Sequence, residues 1–202
     1  FCLTREFNPE KFWSFNRPFL EAYRNKVDLP EGEVLPVFMW DLEVLTGFLG
    51  RNLHGERFAK GSSLFSGKLG EKLFHDKLTL ELNRDPATQA RPFFDSEGVV
   101  LPGDRLPLIE GGRLQAVLTD KKTAAAYGLA HTGAAVGDYD DPPTIDGPLG
   151  PALSFRTDST NIPQVLQGRP AIFALLYSGG EFTADGSFAT PVQVSFLFDG
   201  KK

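Results

Sequence analysis

Glycine and proline occur 21 and 15 times, spread along the whole chain, so the chain has to be assembled from short elements joined by many turns. That punctuation leans towards β structure. The 18 phenylalanines supply the apolar bulk that such short elements need for a core. At 202 residues the chain can bury roughly 70% of the surface its unfolded form exposes, which suits one domain or two small ones.

The local patterns place these elements in order. Asn8-Pro9-Glu10 is a helix start, with a capping side chain, proline at the first helical position and then an acid. Pro18 should interrupt that helix, giving a short pair over residues 9–26 whose aromatic residues (Phe12, Trp13, Phe15, Phe19, Tyr23) pack against the domain. Residues 28–33 read as a linker and 34–40 as a short buried strand. Asp41 then caps a helix with Leu42, Val44, Leu45, Phe48 and Leu49 at helical spacing. Gly47 and Gly50 weaken this helix, by about 1 kcal/mol each, and close packing against a neighbour is the expected reason for them.

Beyond Lys72 the pattern turns to strands. Leu78, Leu80 and Leu82 alternate with Thr79 and Glu81, the period of a half-buried strand. Gly111-Gly112 between 106–110 and 113–118 signals a hairpin. Thr119 or Asp120 caps an alanine-rich helix that Gly128 ends. Residues 133–151 form a long Gly, Asp and Pro loop, of a length usually functional or mobile, and three further strands read over 152–156, 171–177 and 192–198. The fold class is α+β, β-rich, with mainly antiparallel sheets and a few short helices. The chain starts without Met, and Asp199-Gly200 signals a turn straight after an apolar strand. Both features are expected of a chain continued on each side.

Charge and composition narrow the functions. The net charge is −5 and the 21 Lys and Arg are scattered, so no basic face is available to replace phosphate counterions, and no nucleic-acid partner is expected. No apolar run reaches the ~20 residues that span a bilayer, so no membrane partner is expected either. The single cysteine, Cys2, excludes an internal disulfide and suits a reducing compartment, which makes the cytoplasm the expected location.

Catalytic motifs are scarce. A zinc peptidase needs imidazoles and a carboxylate converging on one ion, whereas His54, His75 and His131 are far apart in sequence and lack H-E-x-x-H spacing. Ser66 and Ser187 do not stand in G-x-S-x-G, Cys2 has no local base, and residues 61–70 contain no phosphate-binding loop. Asp95 and Glu97 could hold a cation, though a solvated turn that orders backbone amides is the simpler reading; Asp138, Asp140 and Asp141 read as a soluble loop face.

Several segments agree, in order and spacing, with one known family. They are 61–71 (containing Ser66-Gly67-Lys68-Leu69-Gly70-Glu71), 77–80, 92–98, 106–112, 122–129, 131–133 and Gly186-Ser187-Phe188. The chain resembles the C-terminal domain of the TldD/TldE (PmbA) family, cytosolic proteins best known as paired subunits of a peptide-processing metalloprotease. The resemblance covers residues 34–202 as one β-rich domain, with 1–33 a helical and linker segment joining a missing N-terminal part. Peptide-cleaving members carry His-Glu-x-x-x-His on a helix shortly before the 61–71 motif, with a cysteine later as third zinc ligand. Here those positions hold Thr46, Gly47 and Arg51, and nothing after Cys2 could supply the thiolate.

The resemblance therefore implies a metal-free TldE/PmbA-like subunit of a TldD/TldE-type peptidase, whose partner would be a TldD-like metallopeptidase subunit that holds the zinc. No cofactor and no catalytic role are expected in this chain alone. Its role would be to help form the channel for an unfolded peptide, with Ser66, Gly67, Gly70 and Glu71 as peptide-binding candidates. The family label "modulator of DNA gyrase" need not mean contact with DNA. The alternative is a stand-alone homodimeric peptide-binding or scaffold protein without peptidase activity. A metalloprotease with unrecognised ligands is a third reading.

Overall fold

A computed structural model of the protein describes residues 7–29, 32–39, 42–137, 139–146, 152–156 and 161–199. The elements, in chain order, begin with helix α1 (Pro9–Arg24), strand β1 (Val37–Met39), helices α2 (Glu43–Leu53) and α3 (Gly55–Ala59), and strand β2 (Thr79–Asn83). There follow β3 (Arg105–Glu110), β4 (Arg113–Leu114), α4 (Lys121–Tyr127), β5 (Leu153–Arg156) and α5 (Ile162–Leu166). The last elements are β6 (Ala171–Tyr177), β7 (Glu181–Phe182), β8 (Phe188–Ala189) and β9 (Val192–Phe198). Two compact units result. One spans Phe1–Asp41, Thr160–Glu181 and Ala189–Lys202; the other spans Leu42–Ser159 and Phe182–Phe188.

In the first unit β6 is central, parallel to β1 (Val37↔Ile172) and antiparallel to β9 (Ala171↔Phe198). Helix α1 starts as its sequence dictates, the Lys11 amide donating to Asn8 Oδ1 at 2.9 Å with Pro9 next. It does not divide at Pro18. One helix runs through, because proline removes a single ladder bond, and the freed carbonyl of exposed Ser14 is open to water. The aromatic residues of α1 also depart from expectation: Phe19 meets Phe196 with ring centroids 5.8 Å apart, but no residue of the helix is buried and Phe15 and Tyr23 are 69% and 68% exposed. Helix α5, whose Asn161 accepts from the Gln164 amide at 3.0 Å, was not foreseen.

The second unit is built on the antiparallel sheet β4-β3-β2-β5. Leu49 and Leu53 of α2 pack with Leu80, Leu82, Leu108, Ile109, Leu114 and Leu118 in its core. The Gly111-Gly112 turn has φ of +53° and +75°, as a two-residue hairpin requires. Gly112 is fixed twice over, since a Cβ there would lie 2.3 Å from the Phe74 carbonyl oxygen. Strand β4 is shorter than expected: the chain leaves the sheet after Leu114, and Leu118 turns to α2, its amide donating to the Leu53 carbonyl at 2.7 Å. Asp120 caps α4 through the Thr123 amide at 2.6 Å, and Gly128 ends it at φ +64°.

Several expectations need correction here. Strand β2 is not half-buried but covered on both faces: Leu80 and Leu82 are in the core, and on the other face Glu81, under two arginine side chains, is only 1% exposed. Its carboxylate accepts from Arg105 Nη1 at 2.7 Å and Arg156 Nη2 at 3.1 Å, which compensates its desolvation. A Cβ on Gly47 or Gly50 would meet nothing within 4 Å, so close packing does not account for either glycine. The start of the 133–151 loop is core rather than solvated loop: Ala134 and Ala135 are buried, and Val136 bridges Thr144. The cap residue expected for α2, Asp41, lies outside the described residues, as do Cys2 and Asp138; the N-cap position falls on Leu42.

Candidate functional site

The three positions that would match a metal motif all lie on α2. The Thr46 hydroxyl donates to the Glu43 carbonyl at 3.0 Å, Gly47 offers no side chain, and Arg51 brings an exposed guanidinium cation. This set does not fit a zinc ion: one hydroxyl engaged with its own helix, one missing ligand and one like charge cannot replace two imidazoles and a carboxylate. The histidines do not converge either. His54 Nε2 lies 3.1 Å from Asp146 Oδ2, His75 Nδ1 accepts from the Lys77 amide at 3.2 Å, and His131 Nε2 lies 3.3 Å from Glu97 Oε2.

Among the described residues, Asp95, Glu97 and His131 form one group of potential metal ligands, their atoms within 4.8 Å of one another. Its carboxylates are already occupied. Asp95 is buried rather than solvated and accepts from the amides of Glu97 (2.9 Å), Val99 (2.8 Å) and Ala135 (3.2 Å). Glu97 accepts from the Lys121 amide at 2.9 Å, and the Lys121 ammonium donates to the Glu97 carbonyl at 2.8 Å. The group clamps a turn to the start of α4.

The candidates at 66–71 form a turn tied to the backbone around it. Ser66 Oγ donates to the Phe58 carbonyl at 2.8 Å, Gly67 and Gly70 take φ of +75° and +82°, and the Gly70 amide donates to Leu114 at 2.7 Å. The Glu71 carbonyl accepts from the Leu114 amide at 3.0 Å. This segment extends the β4 edge and braces the second unit.

A cleft of about 350 Å³ opens beside α2 within the second unit. Phe48 and Arg51 line it from the helix, Ser62 to Leu64 form its floor, and the β7–β8 tip (Phe182 to Ala184) completes the lining next to Phe48. Asn52, buried in α2, fixes the floor: its Oδ1 accepts from the Leu64 amide at 2.9 Å, while Ser63 Oγ donates to the Asn52 carbonyl at 2.6 Å. Phe182 lies against Phe48 and Phe188, with centroids 5.0 and 4.6 Å apart. Gly186, at φ +89°, passes so close that a Cβ would lie 2.8 Å from Leu64 Cδ1. Thr183 Oγ1 and the Ser187 amide both donate to Asp185, and these bonds hold its carboxyl below its ordinary range. Arg51 has no ion-pair partner among the described residues.

Of the positions singled out in the sequence, the cleft gathers only Arg51; Thr46, Gly47, Ser66, Gly67, Gly70 and Glu71 do not line it. Sequence reasoning missed Asn52, Ser63 and Phe182. The signals near them were the 61–71 segment, which contains Ser63, and Gly186-Ser187-Phe188, which marks the tip; neither says where the two fold together.

A family model described as the PmbA/TldA metallopeptidase C-terminal domain matches residues 41–149. A curated metalloprotease TldD homolog from Haemophilus influenzae is 34% identical over 116 residues, covering 53% of this chain and 22% of that protein. The crystal structure of TldE from Thermococcus kodakarensis is similar with a TM-score of 0.72 at 24% identity, over 95% of this chain and 44% of that one. The structure of a proposed DNA gyrase modulator from Thermotoga maritima gives 0.63 at 22% identity, over 86% and 39%. The chain thus spans about a fifth of the curated relative and less than half of the solved ones, and the structural likenesses carry the fold.

Proposed function

This chain belongs to the PmbA/TldD metallopeptidase family, and from that membership we propose that it acts as a metal-free, TldE/PmbA-like subunit of a two-part peptidase. Its partner is a TldD-like metallopeptidase subunit that holds the zinc, and this chain contributes to the channel for an unfolded peptide. What supports the reading is α2: the helix packs through Leu49 and Leu53, while Thr46, Gly47 and Arg51, the positions that the resemblance gives to the metal motif, offer no zinc ligand set. Gly47 and Arg51 lie on the exposed side of the helix, away from Leu49 and Leu53, so the packing face does not depend on them. The work is assigned to the cytoplasm; no helix among the described residues is long and apolar enough to cross a membrane.

The test begins with metal content. The full-length protein, purified without chelator, is expected to carry no stoichiometric zinc by elemental mass spectrometry, and to yield peptide cleavage only when mixed with a TldD-like subunit. Stoichiometric zinc lost on mutating His54, His75 or His131 would make it a peptidase in its own right. A stable homo-oligomer indifferent to such a partner would leave the stand-alone scaffold.

A further inference from the structure

The cleft beside α2 combines an unneutralised cation with aromatic walls. None of its lining residues is acidic, in a chain whose net charge is −5, and its one formal charge is that of Arg51. Phe48 and Phe182 line it together, their rings in contact with centroids 5.0 Å apart. About 350 Å³ lies at the lower end of the roughly 300–1,000 Å³ usual for small-ligand clefts, room for the end of a chain rather than a folded surface.

We propose that this cleft captures the C-terminal carboxylate of an unfolded peptide ending in an apolar or aromatic residue. The planar guanidinium of Arg51 donates to both carboxylate oxygens, and Phe48 and Phe182 cover the terminal side chain. A terminal residue carries a carboxylate and a side chain on the same α-carbon, which matches a cation and an apolar wall within one cleft. An internal Asp or Glu offers the charge without the apolar group. The inference rests on the peptide-handling reading above and names the end of the peptide that this subunit holds.

The probes are N-acetyl-Ala-Phe as the free acid, its C-terminal amide, and N-acetyl-Ala-Asp-amide, titrated into the full-length protein by calorimetry. The free acid is expected to bind at least roughly tenfold more tightly than either amide, the scale of one charge-assisted pair. Arg51→Gln should erase that preference, lowering affinity for the acid and leaving the amides unchanged, and Arg51→Lys should keep part of it. Arg51 is exposed, so the fold should survive the change, which circular dichroism checks. Equal binding of acid and amide, an Asp-amide that binds as well as the acid, or an unchanged Arg51→Gln would each overturn the proposal. The two readings fail separately. An acid preference in a protein that pairs with no TldD-like subunit sinks the subunit reading and leaves the cleft. Partner-dependent cleavage without the preference sinks the cleft alone.

Discussion

Helices α1 and α2 both carry apolar residues at helical spacing, yet only α2 buries them. Leu49 and Leu53 of α2 are 0% exposed against the sheet of the second unit, whereas α1 in the first unit has no buried residue and holds Phe15 at 69% exposure. Spacing determines that a face exists; it does not determine that anything covers it. The core of the second unit is closed by residues that lie within that unit. Its polar interior is closed too, with Glu81 matched by two guanidinium groups and Asp95 by three amides.

Three substitutions test that contrast in the full-length protein, read by urea denaturation. The largest effect is expected from Leu108→Ala, a residue at 0% exposure on the central sheet, which should cost about 2–5 kcal/mol through lost transfer energy and the cavity left behind. Glu81→Gln comes next, at about 1–3 kcal/mol, because the amide nitrogen cannot accept from an arginine and two charge-assisted bonds are weakened. Arg105 and Arg156 are 37% and 59% exposed, so water takes up part of that loss. The smallest is Phe15→Ser on α1, expected within about 0.5 kcal/mol of the parent. A loss above about 1 kcal/mol at Phe15 would break the comparison, since it would mean that the face of α1 is covered in solution.

Much of the local structure was legible. Asn8-Pro9, Asp120 with Gly128, and Gly111-Gly112 each act through bonds or φ values set within a few residues, and each forms as read. Pro18 misled because the rule against helical proline assumes a carbonyl that has no other partner, and on an exposed helix water serves. Glu81 misled because alternation reports two faces but not whether neighbouring strands and side chains cover both. At the candidate site, Arg51 drew attention only as a position the resemblance gives to a metal motif, not as part of a cleft. Its aromatic neighbour Phe182 drew none, because the two are joined only by how the hairpin tip folds.

The sequence alone therefore determined the helix start at Asn8-Pro9, the turn at Gly111-Gly112, the cap and end of α4, and the family the chain belongs to. These depend on the chemistry of single residues and their near neighbours. Tertiary structure alone decided that β6 lies between β1 and β9, that Glu81 meets Arg105 and Arg156, and that the β7–β8 tip lines the same cleft as Arg51. Such pairings are chosen by packing among distant segments, where burial and charge balance select one partner from many of equal local propensity.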